Sequence, residues 1–284
     1  MKPEKISQFF SKTISSLASL AKVALLREGS SPLSTHGKGK SIVILGNGPS
    51  LRQTLDNDID RLLGHDLMAV NFAANTPEFF LLRPSYYVLA DGHFFAGVSS
   101  DSNVRNLWDT FERITWEMTL FIPSRYRHLA SALLLKAPQV KLKFFSLTPL
   151  EGFKGLTNFL THSGLGMPRP RNVMIPAIVC AIRQGYDKIY LCGADHTWTR
   201  TLSVDDENFV VSVQPHFYKD NDEEHSRVRS TYAGLHLHDV LGSMTVAFRS
   251  YWEIAAYANG RKVEIINATP GSMIDAFPRT KRIP

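Results

Sequence analysis

The sequence predicts an α/β protein built on a doubly wound, mostly parallel sheet, and three observations predict it. From residue 41 short β-branched and aromatic runs alternate with longer stretches of helical period, the order that a parallel sheet with crossover helices requires. The first run, Ser41-Ile-Val-Ile-Leu45, is apolar throughout, as a strand covered on both faces must be. It passes directly into Gly46-Asn47-Gly48-Pro49-Ser50 and then a helix-compatible segment, a strand-turn-helix signature.

Before that unit, residues 5–27 carry Ile6, Phe9, Phe10, Ile14, Leu17, Leu20, Ala21 and Leu25 at helical spacing, with Lys5, Lys12 and Lys22 among the polar positions. This predicts an amphipathic basic helix, suited to an anionic inner-membrane surface or to docking on the domain or on a second copy in a homo-oligomer. Residues 29–40, rich in Ser, Gly and Pro, read as a linker, so the expected division is 1–40 for helix and linker and 41–284 for one Rossmann-like domain. The strands are expected at 41–45, 67–71, 85–90, 118–122, 140–145, 187–192 and 262–266. The helices are expected at about 50–63, 102–114, 124–136, 173–184 and 243–259. Residues 196–241 break the rhythm, being polar and rich in His and Asp, which predicts an irregular lid.

Composition excludes several classes. At 284 residues with 44% hydrophobic content, the chain can bury a substantial core. Most of its formal charge of +6 lies in the first forty residues, where Lys2, Lys5, Lys12, Lys22, Arg27, Lys38 and Lys40 face only Glu4 and Glu28. The body is therefore nearly neutral, which argues against nucleic acid as a partner. Cys180 and Cys192 lie in apolar runs without zinc-ligand spacing, so they read as buried hydrophobes in a reducing compartment. No stretch is read as reaching the eighteen or so apolar residues of a membrane span, and no signal-peptide pattern is seen, so the expected location is cytoplasmic.

The candidate ligand site is the turn after the first strand. Gly46 and Gly48 let the backbone turn tightly and approach a ligand, Pro49 suits a first helical turn, and a helix N-terminus offers N–H groups to phosphate. The spacing is not GxGxxG, which disfavours NAD. Other strands also end in polar residues, at Asn71, Asp91 and Asp195, and a parallel sheet places these on the same edge as the turn. His196, beside Asp195, is expected to titrate near neutrality. In the irregular segment, Pro215-His216-Phe217-Tyr218 and His236-Leu-His238-Asp239 offer imidazoles for general acid/base work or metal binding, with solvated loop histidines the ordinary alternative. The pairs Asp56/Asp58 and Asp220/Asp222 are not read as metal sites.

Val43-Ile-Leu-Gly-Asn-Gly-Pro-Ser-Leu51, Asn71 and the later Gly185-Tyr-Asp-Lys-Ile-Tyr-Leu-Cys-Gly-Ala-Asp195 together resemble the bacterial sialyltransferases of glycosyltransferase family 42. They resemble equally those enzymes' relatives, the motility accessory factors and the archaeal-type 6-hydroxymethylpterin pyrophosphokinases. The resemblance implies a CMP-sugar donor held by Asn47, Gly48, Ser50 and Asn71, with Asn172 and Met174 nearby, and no required metal. It implies a loop His as general base, His238 ahead of His216, with Tyr218 serving the leaving phosphate. The acceptor would be a glycan or lipid-linked molecule in cell-surface polysaccharide or glycoconjugate synthesis. The pyrophosphokinase alternative implies ATP and Mg²⁺ with Asp91 and Asp195 as ligands. A non-catalytic nucleotide-binding protein is the third reading.

Overall fold

The computed structural model describes residues 3–26, 28–212, 217 and 234–284. In chain order they form α1 (Pro3–Leu26), β1 (Ser41–Leu45), α2 (Ser50–Leu63), β2 (Asp66–Val70), α3 (Glu78–Leu82), β3 (Tyr86–Val88), α4 (His93–Ala96) and α5 (Ser102–Glu112). There follow β4 (Met118–Pro123), α6 (Arg127–Leu133), β5 (Val140–Phe145), β6 (Pro149–Leu150), α7 (Lys154–His162), β7 (Met167–Pro168), α8 (Met174–Arg183) and β8 (Lys188–Cys192). Last come α9 (Trp198–Thr201), β9 (Leu202–Val204), β10 (Val210–Ser212), α10 (Leu237–Gly260) and β11 (Glu264–Asn267).

Seven strands form one sheet in the order β11-β8-β1-β2-β3-β4-β5, every neighbouring pair parallel. The chain winds outward from β1 through β5, then returns to the other side of β1 to lay down β8. The crossover point therefore lies between β1 and β8, where open α/β sheets leave a crevice at the strands' carboxyl ends. Alternation in β1 serves both layers. Ile42 and Ile44 pack with α8 and α10, while Val43 and Leu45 pack with Leu51 and Leu55 of α2. Every residue of α8 is buried, which its apolar composition demands, and Pro176 is tolerated because it falls in the first turn. Cys180 and Cys192 are free thiols buried in this core, and burial pushes both up to about 12.

Residues 28–40 are tied down rather than loose. Ser31 N donates to Phe144 O at 2.8 Å, Ser34 N to Arg183 O at 3.0 Å, Gly37 N to Gln184 O at 3.0 Å and Gly39 N to the Asp187 carboxylate at 2.6 Å. The buried Arg183 guanidinium clamps this strap from beneath, donating to the carbonyls of Ser31, Thr161 and His162. Sequence composition could not show these carbonyl partners.

Two expectations need correction. The helix over residues 5–26 is long and apolar enough to cross a membrane by length and composition, contrary to the reading that no stretch reaches that length. The final helix begins at Leu237, not near 243, because His236 and Asp239 form a reciprocal cap: the His236 side chain accepts the Asp239 N–H and the Asp239 carboxylate accepts His236 N at 3.1 Å. Part of the expected lid is therefore ordered structure, namely α9, the β9/β10 hairpin and the first turns of α10.

Candidate functional site

A cavity of about 550 Å³ opens at the carboxyl edge of the sheet, over the crossover point. It is lined by Gly46, Asn47, Gly48 and Pro49 after β1, Asn71 after β2, Asp91 after β3, Asn172 and Met174 at the start of α8, and Asp195 and His196 after β8. The sequence expectation that separate strand ends converge is met for these residues. Ser50 stands just behind, bound to Asp195.

The floor of the cavity is two turns packed back to back. Gly46 N donates to Cys192 O and Gly48 N to Gly193 O, both at 2.8 Å, stitching the turn after β1 to the turn after β8. Asp195 completes the seam by accepting from Ser50 N at 3.2 Å and Ser50 Oγ at 2.7 Å, so its carboxylate caps the N-terminus of α2. Burial raises its proton affinity above that of an ordinary Asp, and the Ser50 hydrogen bonds partly offset this. A Cβ on Gly46 would lie 2.5 Å from Gly193 O, one on Gly48 would strike the Asp195 carboxylate, and one on Gly193, at φ +64°, would strike Gly46 O. The glycines are thus required by the contact between the two turns. This adds a cause to the one read from the sequence, because Gly46 and Gly48 also line the cavity. The N–H groups of Gly46, Gly48 and Ser50 are bound within the protein and Pro49 has none, which leaves the Asn47 N–H as the amide of the turn without a partner among the described residues.

Beside the cavity, two side-chain amides are fixed by hydrogen bonds and each keeps one buried atom without a partner among the described residues. Asn47 donates Nδ2 to Val70 O at 3.1 Å, which fixes its amide, and leaves Oδ1 buried with no partner among the described residues. Asn172 accepts from Met174 N and Tyr251 OH through Oδ1, both at 3.0 Å, and leaves Nδ2 likewise unpartnered. Tyr251 in turn contacts His196 Nε2 at 2.5 Å. Because the Tyr251 proton goes to Asn172, Nε2–H of His196 donates to Tyr251, and Nδ1 carries the lone pair. Burial pushes His196 down to about 3, so it stays neutral, contrary to the expectation that it titrates near neutrality. Asn71 (φ +51°) and His196 (φ +53°) are both left-handed, a conformation that concentrates at ligand sites.

The charge at the mouth comes from arginines that the sequence reading did not single out. Arg125 follows β4 and is held by Glu28 at 2.6 Å. Arg169 is held by Glu151 at 2.6 Å, and hydrogen bonds from Arg169 keep that carboxylate ionised below its usual range. Arg171 lines the same mouth with no acidic partner among the described residues. Their signals were in the sequence: Pro123-Ser-Arg125 closes a predicted strand as Asn71 and Asp91 do, and Arg169-Pro-Arg171 precedes Asn172. His93 was also missed. It lines the cavity at the start of α4, and its Nε2 lies 2.6 Å from Asp101 Oδ2. Burial opposes ionisation of Asp101, but hydrogen bonds from His93 and from the Asn103 and Val104 amides outweigh it and hold the carboxyl below its ordinary value. Nε2–H of His93 therefore donates to the Asp101 carboxylate.

His238 is on the exposed first turn of α10 with its side chain 81% accessible, 3.4 Å from Asp239, and does not line the cavity. His216 and Tyr218 lie outside the described residues. Among the described residues no three His, Cys, Asp or Glu side chains gather as a metal-binding group.

No family model and no curated protein matches the chain. Among solved structures it is similar to a MAf glycosyltransferase from Magnetospirillum magneticum AMB-1, at 12% identity and a TM-score of 0.48 over 96% of this chain. The chain spans 38% of that protein, and a likeness this distant does not bear on function.

Two predictions follow from this geometry. Gly48→Ala lowers stability by about 1–3 kcal/mol, as overpacking does, measured by urea unfolding; unchanged stability with lost ligand binding would leave ligand approach as the glycine's only cause. The second is a pH dependence. The unfolded His196 takes up a proton near 6.5 but the folded one only near 3, so stability is lost as pH falls through that window, by up to about 1.4 kcal/mol per pH unit. His196→Gln flattens that slope, and an unaltered slope would mean that His196 is protonated in the native state.

Proposed function

We propose that the chain is a transferase whose cavity holds a nucleotide-activated donor, a CMP-linked acidic sugar being the donor class that best fits both the cavity and the family resemblance. The observation that carries this reading is the convergence of three arginines, Arg125, Arg169 and Arg171, on one cavity of about 550 Å³. That volume suits a nucleotide sugar. Arg125, Arg169 and Arg171 supply countercharge for phosphate and carboxylate, the role that a metal ion fills in other transferases.

The chemistry is a displacement. The acceptor hydroxyl gives its proton to a base as its oxygen attacks the anomeric carbon, the bond from that carbon to the phosphate oxygen breaks, and the charge on the departing nucleotide is met by the arginines. We assign the base role to His93, which lines the cavity and is held by Asp101, ahead of the buried His196 and of His238 on the outer turn of α10. The acceptor is a hydroxyl of a glycan or lipid-linked molecule. A pyrophosphokinase would use Asp91 and Asp195 for Mg²⁺; both Asp195 oxygens accept from Ser50, and one Asp91 oxygen accepts from His93 N.

A thermal-shift comparison of CMP, UDP, GDP and ATP, each with and without Mg²⁺, tests this. CMP alone is expected to raise the melting temperature by mass action, and Arg171→Ala to abolish most of that shift. A shift only with ATP and Mg²⁺ would replace the reading by the pyrophosphokinase one. In the presence of a CMP-sugar that the protein turns over, His93→Ala is expected to lower the rate about 10²–10⁴-fold with donor affinity retained. Unchanged turnover would remove His93 from the mechanism, and binding without any turnover would favour a nucleotide-sensing protein.

A further inference from the structure

The N-terminal helix is packed the wrong way round for a soluble protein. An amphipathic helix normally buries its apolar stripe and shows its small polar residues to water. In α1 the buried residues are Ser16 and Ser19, at 6% and 0% exposure, while Phe10, Leu17 and Leu25 are 61%, 61% and 81% exposed. The serine face is firmly attached. Ser19 Oγ donates to Glu151 O and accepts from Glu151 N, both at 2.8 Å, and Ser16 Oγ accepts from Phe153 N at 3.0 Å. At Gly152, with φ +123°, any Cβ would strike Ser16, so the loop is shaped to receive the helix. The docked orientation is therefore specified, and the outward apolar stripe is a consequence of it.

Ile6, Phe10, Ile14 and Leu17 recur at helical spacing on that outward stripe, with Leu20 and Leu25 extending it. Residues 5–26 also contain Lys5, Lys12 and Lys22 and no Asp or Glu. An apolar stripe carried by a helix with three lysines against Glu4 alone matches a surface that is both hydrocarbon and anionic. We infer that α1 is an in-plane anchor for an anionic lipid surface, with its serine face holding the domain and its Phe/Leu face entering the headgroup and acyl boundary. This inference stands independently of the donor chemistry. A membrane-crossing role for the same helix would break the Ser16 and Ser19 hydrogen bonds and put Lys12 in the hydrocarbon. A second copy pairing through the stripe would use the apolar residues but not the lysines.

The test is co-sedimentation of the full chain with phosphatidylcholine vesicles, with and without phosphatidylglycerol. Binding is expected only to the anionic vesicles and to weaken as salt rises. The exposed-position variant F10D/L17D should lose at least about tenfold in partition while its circular-dichroism melting curve matches the wild type. Each of Lys5→Gln and Lys12→Gln should lose about fivefold. Equal binding to neutral vesicles, or none to either kind, would overturn the inference. So would resistance of the vesicle-bound protein to alkaline carbonate extraction, which would mean a spanning helix. A dimer in light scattering that F10D/L17D converts to monomer would overturn it in favour of a second copy.

Discussion

The seam between the turn after β1 and the turn after β8 is the constraint on which the rest of the structure depends. Two strands 145 residues apart in sequence at the Ser50–Asp195 contact are joined by backbone hydrogen bonds from Gly46 and Gly48 and by one carboxylate capping α2. Only glycine allows this approach, because a Cβ on either side would meet the opposite main chain or the Asp195 carboxylate. Once the seam closes, the side chains of Asn47, Asn172 and His196 share one wall. Asp195 is then a structural anion, filling the helix N-terminus that a phosphate fills in glycine-rich loop proteins. Under the proposed function the charge of the donor is met elsewhere, at the arginine mouth.

Much of this was legible in the sequence, for reasons that separate backbone from side-chain information. The strands β1, β4, β5 and β8 and helices α2 and α8 were readable because buried parallel strands and apolar helices leave dense, periodic patterns. Parallel order then forced Asn71, Asp91 and Asp195 onto one edge without knowledge of any contact. The glycines were read as special, but the contact with the turn after β8 was not foreseen, since a tight turn beside a ligand and a tight turn beside another strand demand the same residue. His238 was misplaced because a His-Leu-His-Asp run in a polar segment reads as loop, whereas the reciprocal His236/Asp239 cap makes it the start of a helix. The arginines escaped because a lone Arg after a strand is common on surfaces, and only three-dimensional convergence distinguishes these.

The N-terminal segment shows a different limit. Periodicity located the stripe of α1 but could not say which face is buried, because that depends on what the body offers. Here it offers the loop at Glu151–Phe153, whose backbone groups select serine hydroxyls over phenylalanine rings. An apolar moment normally predicts the inward face, and in this helix it predicts the outward one.

The same segment reaches into the site. Ser19 holds Glu151 by its main chain, and the Glu151 carboxylate holds Arg169. Glu28, two residues beyond the end of α1, holds Arg125 and also accepts from Leu147 N at 3.1 Å. Pairing each arginine with a carboxylate lowers the net field at the mouth, which a purely electrostatic design would avoid. It also fixes two long side chains that would otherwise lose rotamer entropy on binding, and each guanidinium keeps further N–H groups for a ligand. Arg171, without an acidic partner among the described residues, supplies the uncompensated charge. The mouth thus divides the work between two braced guanidiniums that set geometry and one free one that sets potential. The braces come from the part of the chain next to the outward-facing apolar helix, so whatever holds that helix also steadies the site's charged rim.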